Sequence, residues 1–265
     1  MSLQPAKIEA HLFFEKKFTF CTLVTRFDEY IEMVESAKKA GFDVNDIEYI
    51  YFDNKESNQF DGYSGINRAL KVAQGEYLIF CHQDILFNYD QRPQLEKCLQ
   101  ELEDRDPNWA IVGNAGKGPY GKPASRITDP NTVNCDTKNM PLLVESLDEN
   151  FLVINRKHQL AASSAALTGF HLYALDLCQN AKLIGLTSYV IDFHLFHKSG
   201  GNVGKDYFKA QDKYTDLVRK RRQFAYLPAV CAAFFATPFI WLNKFNKNPK
   251  IIKYFRSIIK RINQQ

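Results

Sequence analysis

The sequence has 265 residues, of which 45% are apolar and 24% are charged, a composition that is ordinary for a globular protein and excludes an intrinsically disordered chain. The net charge is +4, but residues 243–265 contain seven Lys or Arg and no acid, so residues 1–242 carry −3 (+4 less 7). The basic excess therefore lies in the C-terminal tail. This argues against a nucleic-acid-binding core and favours an anionic surface as the partner of the tail.

The cysteines and the N-terminal segment point to a cytoplasmic protein. Six cysteines are scattered at positions 21, 81, 98, 135, 178 and 231 without a Cys-x-x-Cys pair, which predicts buried, reduced thiols rather than a disulfide framework or a zinc site. Residues 1–17 contain no continuous apolar core, so we expect no signal peptide.

The first third of the chain alternates between strand and helix patterns. Aromatic and β-branched residues at 18–25 predict a first strand. Asp28 stands in the position of an N-cap for a helix that ends at Gly41. The alternation continues with a strand, a helix and a strand at residues 47–52, 63–73 and 77–81. Short connections between such elements predict an α/β fold with a mostly parallel sheet flanked by helices.

The third predicted strand ends in His82-Gln83-Asp84. Ligands collect at the carboxyl ends of parallel strands, and carboxylate and imidazole are ligands for divalent cations. The motif therefore predicts a site for a metal ion and a diphosphate. The alternative is a strand end whose polar residues simply meet water.

Two further polar clusters follow the first two strands, Thr25-Arg26 and Asp53-Asn54. An acidic residue that ends a second strand holds a ribose or a base in other nucleotide-binding folds, although Asp and Asn are also common in turns. No Gly-x-Gly-x-x-Gly directly follows the first strand, and the sequence contains no Gly-Lys-Ser/Thr loop. Dinucleotide-binding and P-loop interpretations therefore lose their main support.

The segment from Asp53 to Asp84 resembles the family 2 glycosyltransferases of GT-A fold, and in particular a bacterial subgroup of family-2-like enzymes. The resemblance rests on Asp53-Asn54, on residues 63–70 with Asn67, on residues 73–80 and on His82-Gln83-Asp84. In the family, the strand that follows this helix ends in Asp-x-Asp, and here His82 replaces the first Asp. The resemblance implies that Asp84 and His82 are metal ligands and that the donor binds to Thr25, Arg26, Asp53, Asn54 and Asn67.

The middle of the chain continues the alternation and then becomes irregular. A helix at 91–105 and a strand at 109–113 are followed by residues 114–141, which are rich in Gly and Pro. Long irregular segments in compact domains are usually functional or mobile. The family resemblance implies that this one reaches over the donor and acceptor clefts, and the alternative is an exposed surface loop.

The resemblance places a catalytic base on the helix that residues 170–181 predict. The usual Glu-Asp pair of that helix is replaced here by Tyr173 and Ala174. Asp176 is the preferred base, and His171 and Asp148 are the alternatives. The acidic residue Asp148, next to Glu149, is expected near the acceptor side. The alternative for each of these residues is a purely structural role, either as a hydrogen-bonded core residue or as a turn residue.

A histidine after the strand at 187–191 is expected to complete the metal site. Of His194 and His197, the resemblance selects His197, which is followed by Lys-Ser-Gly.

The C-terminal residues divide into an apolar and a basic segment. Residues 224–242 are uncharged, but Pro228 and Pro238 favour a buried or interfacial segment over a membrane span. A helical stripe follows, formed by Ile251, Ile252, Phe255, Ile258, Ile259 and Ile262 and backed by Lys and Arg. The stripe predicts a helix that lies on an anionic membrane, or else one that docks on the domain or on a second subunit.

The sequence thus predicts a GT-A-type α/β domain at 1–223 and a helical tail at 224–265. The function implied by the resemblance is transfer of a sugar from a nucleoside-diphosphate sugar, UDP-linked, to a saccharide or lipid-linked acceptor in polysaccharide biosynthesis, with inversion and with Mn²⁺ or Mg²⁺ as the cofactor. The alternatives are a sugar nucleotidyltransferase and a catalytically silent nucleotide-sugar-binding module. We expect a cytoplasmic protein that is peripheral to the inner face of the plasma membrane and does not bind nucleic acid.

Overall fold

The structure is a computed structural model that describes residues 12–131, 134, 139–201 and 203–262. Among these residues, seven α-helices occur: α1 Phe27–Lys39, α2 Gly62–Val72, α3 Arg92–Arg105, α4 Tyr173–Leu183, α5 Lys205–Lys220, α6 Ile240–Asn243 and α7 Pro249–Ile262. The first helix begins at Phe27, so Asp28, which the sequence places at the N-cap, lies in the first turn instead.

The same residues form fifteen β-strands: β1 Lys16–Val24, β2 Ile47–Asp53, β3 Gly75–Cys81, β4 Ile85–Leu86, β5 Trp109–Gly113, β6 Ala115–Lys117, β7 Pro123–Ser125, β8 Ile127–Thr128, β9 Leu142–Leu143, β10 Ser146–Leu147, β11 Phe151–Asn155, β12 Thr187–Val190, β13 Leu195–His197, β14 Ala225–Leu227 and β15 Phe234–Ala236.

Seven of these strands form the central sheet, in the order β2-β1-β3-β11-β5-β12-β9. The β1 strand pairs in parallel with β2 and β3, and β12 pairs in parallel with β5. By contrast, β11 is antiparallel to both of its neighbours, and β9 is antiparallel to β12. Five strands therefore run in one direction, and the predicted α/β class, a mostly parallel sheet flanked by helices with a helical C-terminal tail, is confirmed.

An apolar core covers each face of the central sheet. On one face, Phe20 of β1 packs with residues of α1 and α3 such as Met33 and Leu99. On the other face, residues of α2 and α4 such as Ile66 and Leu175 belong to a second core. Because helices cover both faces, side chains that point to either side of a strand must be apolar. This explains why β3 appears in the sequence as an uninterrupted apolar run.

The Gly- and Pro-rich segment at 114–141 forms only short elements in its described part. The strands β6 and β7 pair with each other, and β10 pairs with β6, in a small sheet beside the central one. The β8 strand instead joins β13 and β4 in a second small sheet. Residues 132–133 and 135–138 lie outside the described residues. The described part of the segment thus adds short strands near the carboxyl ends of the central strands.

Four of the cysteines are buried free thiols, as predicted: Cys21, Cys81, Cys98 and Cys178. Cys231 is free but exposed, and Cys135 lies outside the described residues. Burial raises the pKa of the Cys81 thiol to about 12, so this thiol stays protonated and packs as a small apolar side chain.

The C-terminal residues pack on the domain as a hairpin and a helix. The strands β14 and β15 form an antiparallel pair, and Phe235 of β15 is fully buried. The Phe255 ring of α7 stacks on Phe235, with ring centroids 4.3 Å apart. The Asn246 amide donates a hydrogen bond to Thr215 Oγ1 of α5 at 2.9 Å. The apolar stripe of α7 therefore contacts the chain's own domain, in line with the docking alternative.

Within the described residues, we find no helix that combines the length and the apolar character needed to cross a membrane.

Replacing Phe235 with Ala removes the ring on which α7 packs. The free energy of unfolding, measured by urea titration, should fall by about 3–5 kcal/mol, because a buried aromatic side chain is lost and a cavity remains. Phe224→Ala is the control, since Phe224 is exposed and surface substitutions usually change stability by at most about 0.5 kcal/mol. Equal effects of the two substitutions would contradict the packing of α7 on β15.

Candidate active site

A pocket of about 340 Å³ lies where β1, β2 and β3 end. We call it the strand-end pocket. Five residues that the sequence predicts for the site line it: Thr25, Arg26, Asn54, His82 and Asp84. The parallel strands thus bring three separate polar clusters to one edge of the sheet, as the topology requires.

His82, Asp84 and His197 come together beside this pocket, and we call them the His-Asp-His cluster. Their potential ligand atoms all lie within 4.8 Å of one another. Asp84 Oδ1 is 3.3 Å from His197 Nε2 and 4.0 Å from His82 Nδ1. Two imidazoles and one carboxylate are ligands that divalent metals accept, so the cluster could hold a metal ion.

The pairing of β4 with β13 places His197 next to Asp84. His197 lies opposite Ile85 in the antiparallel pair, and the Lys198 backbone N–H donates to the Asp84 carbonyl at 3.0 Å. The β8 strand pairs with the other side of β13. The strand that ends in His197 is therefore paired on both sides. His194 lies apart from the cluster, since its ring stacks on Tyr89 at 3.9 Å.

Asp84 and His197 shift each other's protonation. Burial opposes ionisation of Asp84, but hydrogen bonds from His197 and Ser199 outweigh it and hold the pKa of Asp84 well below its usual range. Burial likewise disfavours the charged form of His197, but the hydrogen bond and the charge of Asp84 outweigh it and raise the pKa of His197. Desolvation and the nearby His197 lower the pKa of His82. In the absence of a metal, these shifts favour the carboxylate form of Asp84 and the imidazolium form of His197.

Gln83, the middle residue of the motif, ties β3 to the end of β1. Its Oε1 accepts hydrogen bonds from the backbone N–H groups of Thr25 and Arg26, at 2.9 and 3.0 Å. Its Nε2 donates to Thr25 Oγ1 at 3.1 Å. Gln83 therefore fixes the backbone of the first strand end, and the Thr25 hydroxyl is already engaged with it.

The remaining donor-site predictions at the strand ends have different surroundings. Arg26 is exposed and forms an ion pair with Glu29 at 2.7 Å. Asn54 is buried, and its amide exchanges hydrogen bonds with the backbone of Phe60, at 2.7 and 3.2 Å, which closes the loop after β2. Asp53 is exposed outside the pocket lining, and its Oδ1 accepts from the Lys55 backbone N–H. Of the two that line the pocket, Arg26 is thus more accessible than Asn54.

Asn67 and Asp176 both hold one loop, residues 162–164. Asn67 exchanges hydrogen bonds of 2.8 Å with the backbone of Ala162. Asp176 is fully buried on α4 and accepts from the backbone N–H and the hydroxyl of Ser163, at 2.6 and 2.9 Å. Burial raises the pKa of Asp176, and the Ser163 hydrogen bonds oppose this. Neither residue lines the strand-end pocket, so the structure does not bring them together with the His-Asp-His cluster.

The turn before β11 carries Asp148 and Glu149, which we call the acidic pair. The turn lies next to the cluster, because the His82 backbone N–H donates to the Asn150 carbonyl at 2.9 Å. Asp148 Oδ1 accepts hydrogen bonds from the backbone and side-chain N–H groups of Asn150. The Asp148 charge contributes to the pKa of both cluster histidines and favours their protonated forms. Asp148 is thus the predicted base that lies beside the cluster.

Glu149 is predicted from the sequence to lie near the acceptor side, but without a catalytic role of its own. Its Oε1 accepts from the Leu172 backbone N–H at 2.8 Å, at the start of α4, where the N-cap residue is an apolar leucine. Burial and the neighbouring Asp148 raise the pKa of Glu149 to about 8. Two features of the sequence point to this role of Glu149: the Asp-Glu doublet, and the lack of a residue with a capping side chain before α4. By contrast, His171 is half-buried, 5.6 Å from the Tyr207 ring, and does not line the pocket.

Other pocket residues were missed: Asn58, Phe170, Tyr173 and Ser199. Ser199 Oγ lies 3.2 Å from His197 Nε2, and the Tyr173 hydroxyl donates to the Glu149 carbonyl at 3.3 Å. Asn58 and Ser199 lie in the loops that follow β2 and β13, and Phe170 and Tyr173 lie just before and at the start of α4. Only the tertiary structure shows that they face the same pocket.

A larger cavity, of about 600 Å³, lies elsewhere, between α4, α5 and the C-terminal hairpin. Its lining includes Glu145 and Lys182, which form an ion pair at 2.6 Å, and no residue of the His-Asp-His cluster. We therefore assign the candidate active site to the smaller strand-end pocket, where convergent polar groups with shifted pKa values meet.

No protein-family model matches this chain. The chain is 33% identical over 211 residues to the "ATP synthase subunits region ORF 6" protein of Fuscovulum blasticum, in an alignment that covers 77% of this chain and 84% of the relative.

Solved structures show a looser likeness. The structure of S. aureus TarS is similar with a TM-score of 0.49 and 12% identity, over 77% of this chain and 38% of TarS. A TarS 1–349 structure in complex with UDP-GlcNAc gives 0.48 and 11%, over 77% and 66% of the two chains. The A197 protein from STIV gives 0.40 and 14%, over 71% and 97%. This chain thus spans less than half of TarS, and the chemistry of the site rests on its own residues.

The paired pKa shifts predict how the stability of the metal-free protein depends on pH. Asp84 has a lowered pKa, so its contribution is present above about pH 4 and is lost on acidification. His197 has a raised pKa, so its contribution is complete below about pH 6.5 and is lost as the pH rises through its folded-state pKa. The pair therefore stabilises the fold most between these limits.

Asp84→Asn should accordingly cost more stability at pH 5.5 than at pH 9, measured by urea unfolding in the presence of a chelator. The control is Asp53→Asn, which changes an exposed carboxylate outside the pocket and should cost the same at both values. A penalty for Asp84→Asn that does not depend on pH would contradict the ion pair.

Proposed function

This chain belongs to the family of the "ATP synthase subunits region ORF 6" protein of Fuscovulum blasticum, and we propose that it is a metal-assisted glycosyltransferase. It transfers a sugar from a UDP-linked or similar nucleoside-diphosphate donor to a hydroxyl of a saccharide or lipid-linked acceptor, with inversion. The observation that carries the proposal is the His-Asp-His cluster beside the strand-end pocket. Its position matches the resemblance of the His82-Gln83-Asp84 segment to the family 2 glycosyltransferases.

The composition of the cluster favours Mn²⁺ over Mg²⁺ as the cofactor. Mg²⁺ prefers oxygen ligands in an octahedral arrangement, whereas the cluster offers two imidazoles and a single carboxylate. Imidazole suits later transition metals, and carboxylate suits Mn²⁺. When bound, the metal would neutralise the charge of the leaving diphosphate as a Lewis acid.

The strand-end pocket fits the nucleotide part of the donor. Its volume of about 340 Å³ lies within the usual range for small-molecule sites. Phe170 and Tyr173 supply apolar and aromatic surface, and Asn58 and Arg26 supply polar groups. The hydrogen bonds of Gln83 hold the backbone at residues 25–26 in place, so this wall is organised before the donor binds.

We assign the general base to the acidic pair rather than to Asp176. Asp148 lies beside the cluster, and Glu149 has a pKa of about 8, close to the pH at which a base works efficiently. Asp176 is fully buried and uses its carboxylate to hold Ser163. One carboxylate of the acidic pair would take the proton of the acceptor hydroxyl as the hydroxyl attacks the anomeric carbon.

The basic tail, residues 243–265, extends this proposal to a location. Its seven cationic side chains would attract an anionic membrane. In this proposal the enzyme works in the cytoplasm, on the inner face of the plasma membrane, where a lipid-linked acceptor is accessible.

The metal site is tested by calorimetric titration of Mn²⁺ and then of UDP into the full-length protein. We expect wild type to bind Mn²⁺ and to bind UDP more tightly in its presence, and Asp84→Asn to lose both effects, because the only carboxylate of the cluster becomes a neutral amide. Asp53→Asn is the matched control and should bind Mn²⁺ as wild type does. Mn²⁺ binding that survives in Asp84→Asn would refute the metal site.

The base is tested by release of UDP from a panel of UDP-sugars with saccharide acceptors. At least one of Asp148→Asn and Glu149→Gln should lower turnover by about 10²-fold or more while UDP binding is retained, because an amide cannot accept the proton. Asp176→Asn should lower thermal stability and leave turnover near wild type below its melting temperature.

The reverse pattern, with turnover lost only in Asp176→Asn, would assign the base to Asp176. UDP-sugar binding without turnover of any panel member would favour the silent binding module.

A further inference from the structure

Four large apolar side chains lie exposed in one patch next to the C-terminal hairpin. Phe224, Phe239, Ile240 and Trp241 have exposed fractions of 63%, 49%, 64% and 64%. The Phe239 ring lies 5.9 Å from that of Phe224 and 6.3 Å from that of Trp241. We call these residues the aromatic patch. Contiguous exposed apolar side chains of this size mark interaction surfaces.

Basic side chains flank the aromatic patch in sequence on both sides. Residues 219–222 read Arg-Lys-Arg-Arg across the end of α5, and only Gln223 separates them from Phe224. Lys244 follows α6 immediately and is exposed, as are Lys250 and Lys253 of α7. We call these flanking Lys and Arg residues the basic border. Exposed apolar residues flanked in sequence by basic residues are complementary to a bilayer that has an apolar interior and anionic headgroups.

The stripe of α7 predicted from the sequence is engaged elsewhere. Phe255 stacks on the buried Phe235, and Ile251, Ile252 and Ile259 are only partly accessible. Much of the apolar face of α7 therefore contacts the chain's own domain. The aromatic patch, in contrast, is exposed to the surroundings of the protein.

We propose that the aromatic patch inserts into the headgroup region of an anionic lipid bilayer, while the flanking Lys and Arg bind the lipid phosphates. This deepens the membrane attachment that forms part of the proposed function, and it assigns the insertion to Phe224, Phe239, Ile240 and Trp241 rather than to the stripe of α7. Trp and other aromatic residues favour the membrane interface because their rings combine apolar surface with polar edges.

The charge around the patch favours a membrane over a second copy of the chain. In a symmetric dimer built on this surface, the basic border of one copy would face the basic border of the other. Like charges brought together in this way are unfavourable. Anionic headgroups, in contrast, neutralise the same border.

Tryptophan fluorescence gives a direct test, since the chain has two tryptophans and the other one, Trp109, is fully buried. Full-length protein is mixed with vesicles of phosphatidylcholine that contain about one third phosphatidylglycerol. We expect cosedimentation at low salt, a blue shift of the emission, and quenching by lipids with a spin label near the headgroup. Vesicles of phosphatidylcholine alone should bind much more weakly.

Two sets of variants separate insertion from charge. Phe239→Ser with Trp241→Ser should weaken binding to the anionic vesicles by about tenfold or more, because the inserted apolar area is lost. Lys244→Glu with Lys250→Glu and Lys253→Glu should weaken binding to a similar extent and remove its salt dependence. The matched control, Val44→Ser with Val72→Ser, changes exposed apolar residues elsewhere and should bind as wild type does.

Two outcomes would overturn the proposal. Vesicle binding without a blue shift or quenching of Trp241 would mean that the basic tail binds alone. Absence of vesicle binding, together with self-association that Phe239→Ser with Trp241→Ser abolishes, would make a second copy the partner. Binding of Mn²⁺ and UDP is measured separately on the same variants, so failure of the proposed reaction and failure of the membrane surface are distinguishable.

Discussion

The contact between Asp84 and His197 is the interaction on which the site depends. The Asp84 carboxylate lies shortly after the end of β3, in the middle of the central sheet. The His197 imidazole belongs to β13, which pairs through its backbone with β4 and β8. Two buried groups of this kind are tolerated only when each compensates the charge of the other. The three-stranded sheet of β4, β13 and β8 places the two groups next to each other after the carboxyl end of β3.

Most polar side chains around the strand-end pocket are used to hold backbone. Gln83 fixes residues 25–26, and Asn54 closes the loop after β2. Asn67 and Asp176 hold the 162–164 loop from two different helices. Satisfied buried polar groups make these loops rigid. The His-Asp-His cluster and the acidic pair lie in and beside the pocket, and the pKa values of Asp84, His197 and Glu149 are shifted from their usual values, as is typical of functional sites.

The C-terminal segment contains large apolar residues in two different surroundings. Its apolar residues divide between an inner set, with Phe235 and Phe255 stacked on each other, and an outer set, with Phe239 and Trp241 exposed. The inner set attaches α7 to the domain and contributes to its stability. The outer set, with the basic residues beside it, is available for a partner.

The sequence by itself determined the α/β class, the strand ends at Thr25, Asn54 and Asp84, and the basic character of the tail. These features are encoded locally, because burial on both faces imposes apolar runs on strands and a 3.6-residue period on helices. The resemblance to the family 2 glycosyltransferases added the expectation that His197 joins Asp84, and the structure brings the two together.

The tertiary structure decided which side chains face the pocket and which face the core. It directs Asp176 into the core, sets Glu149 at the start of α4, and turns the stripe of α7 onto Phe235. A helix of given periodicity buries the same stripe whether its partner is a membrane or a hairpin, and a carboxylate on a helix has the same local signature in a cleft as in a core. Only the long-range packing of elements distant in sequence distinguishes these cases, since it sets the solvent and the neighbours of each side chain.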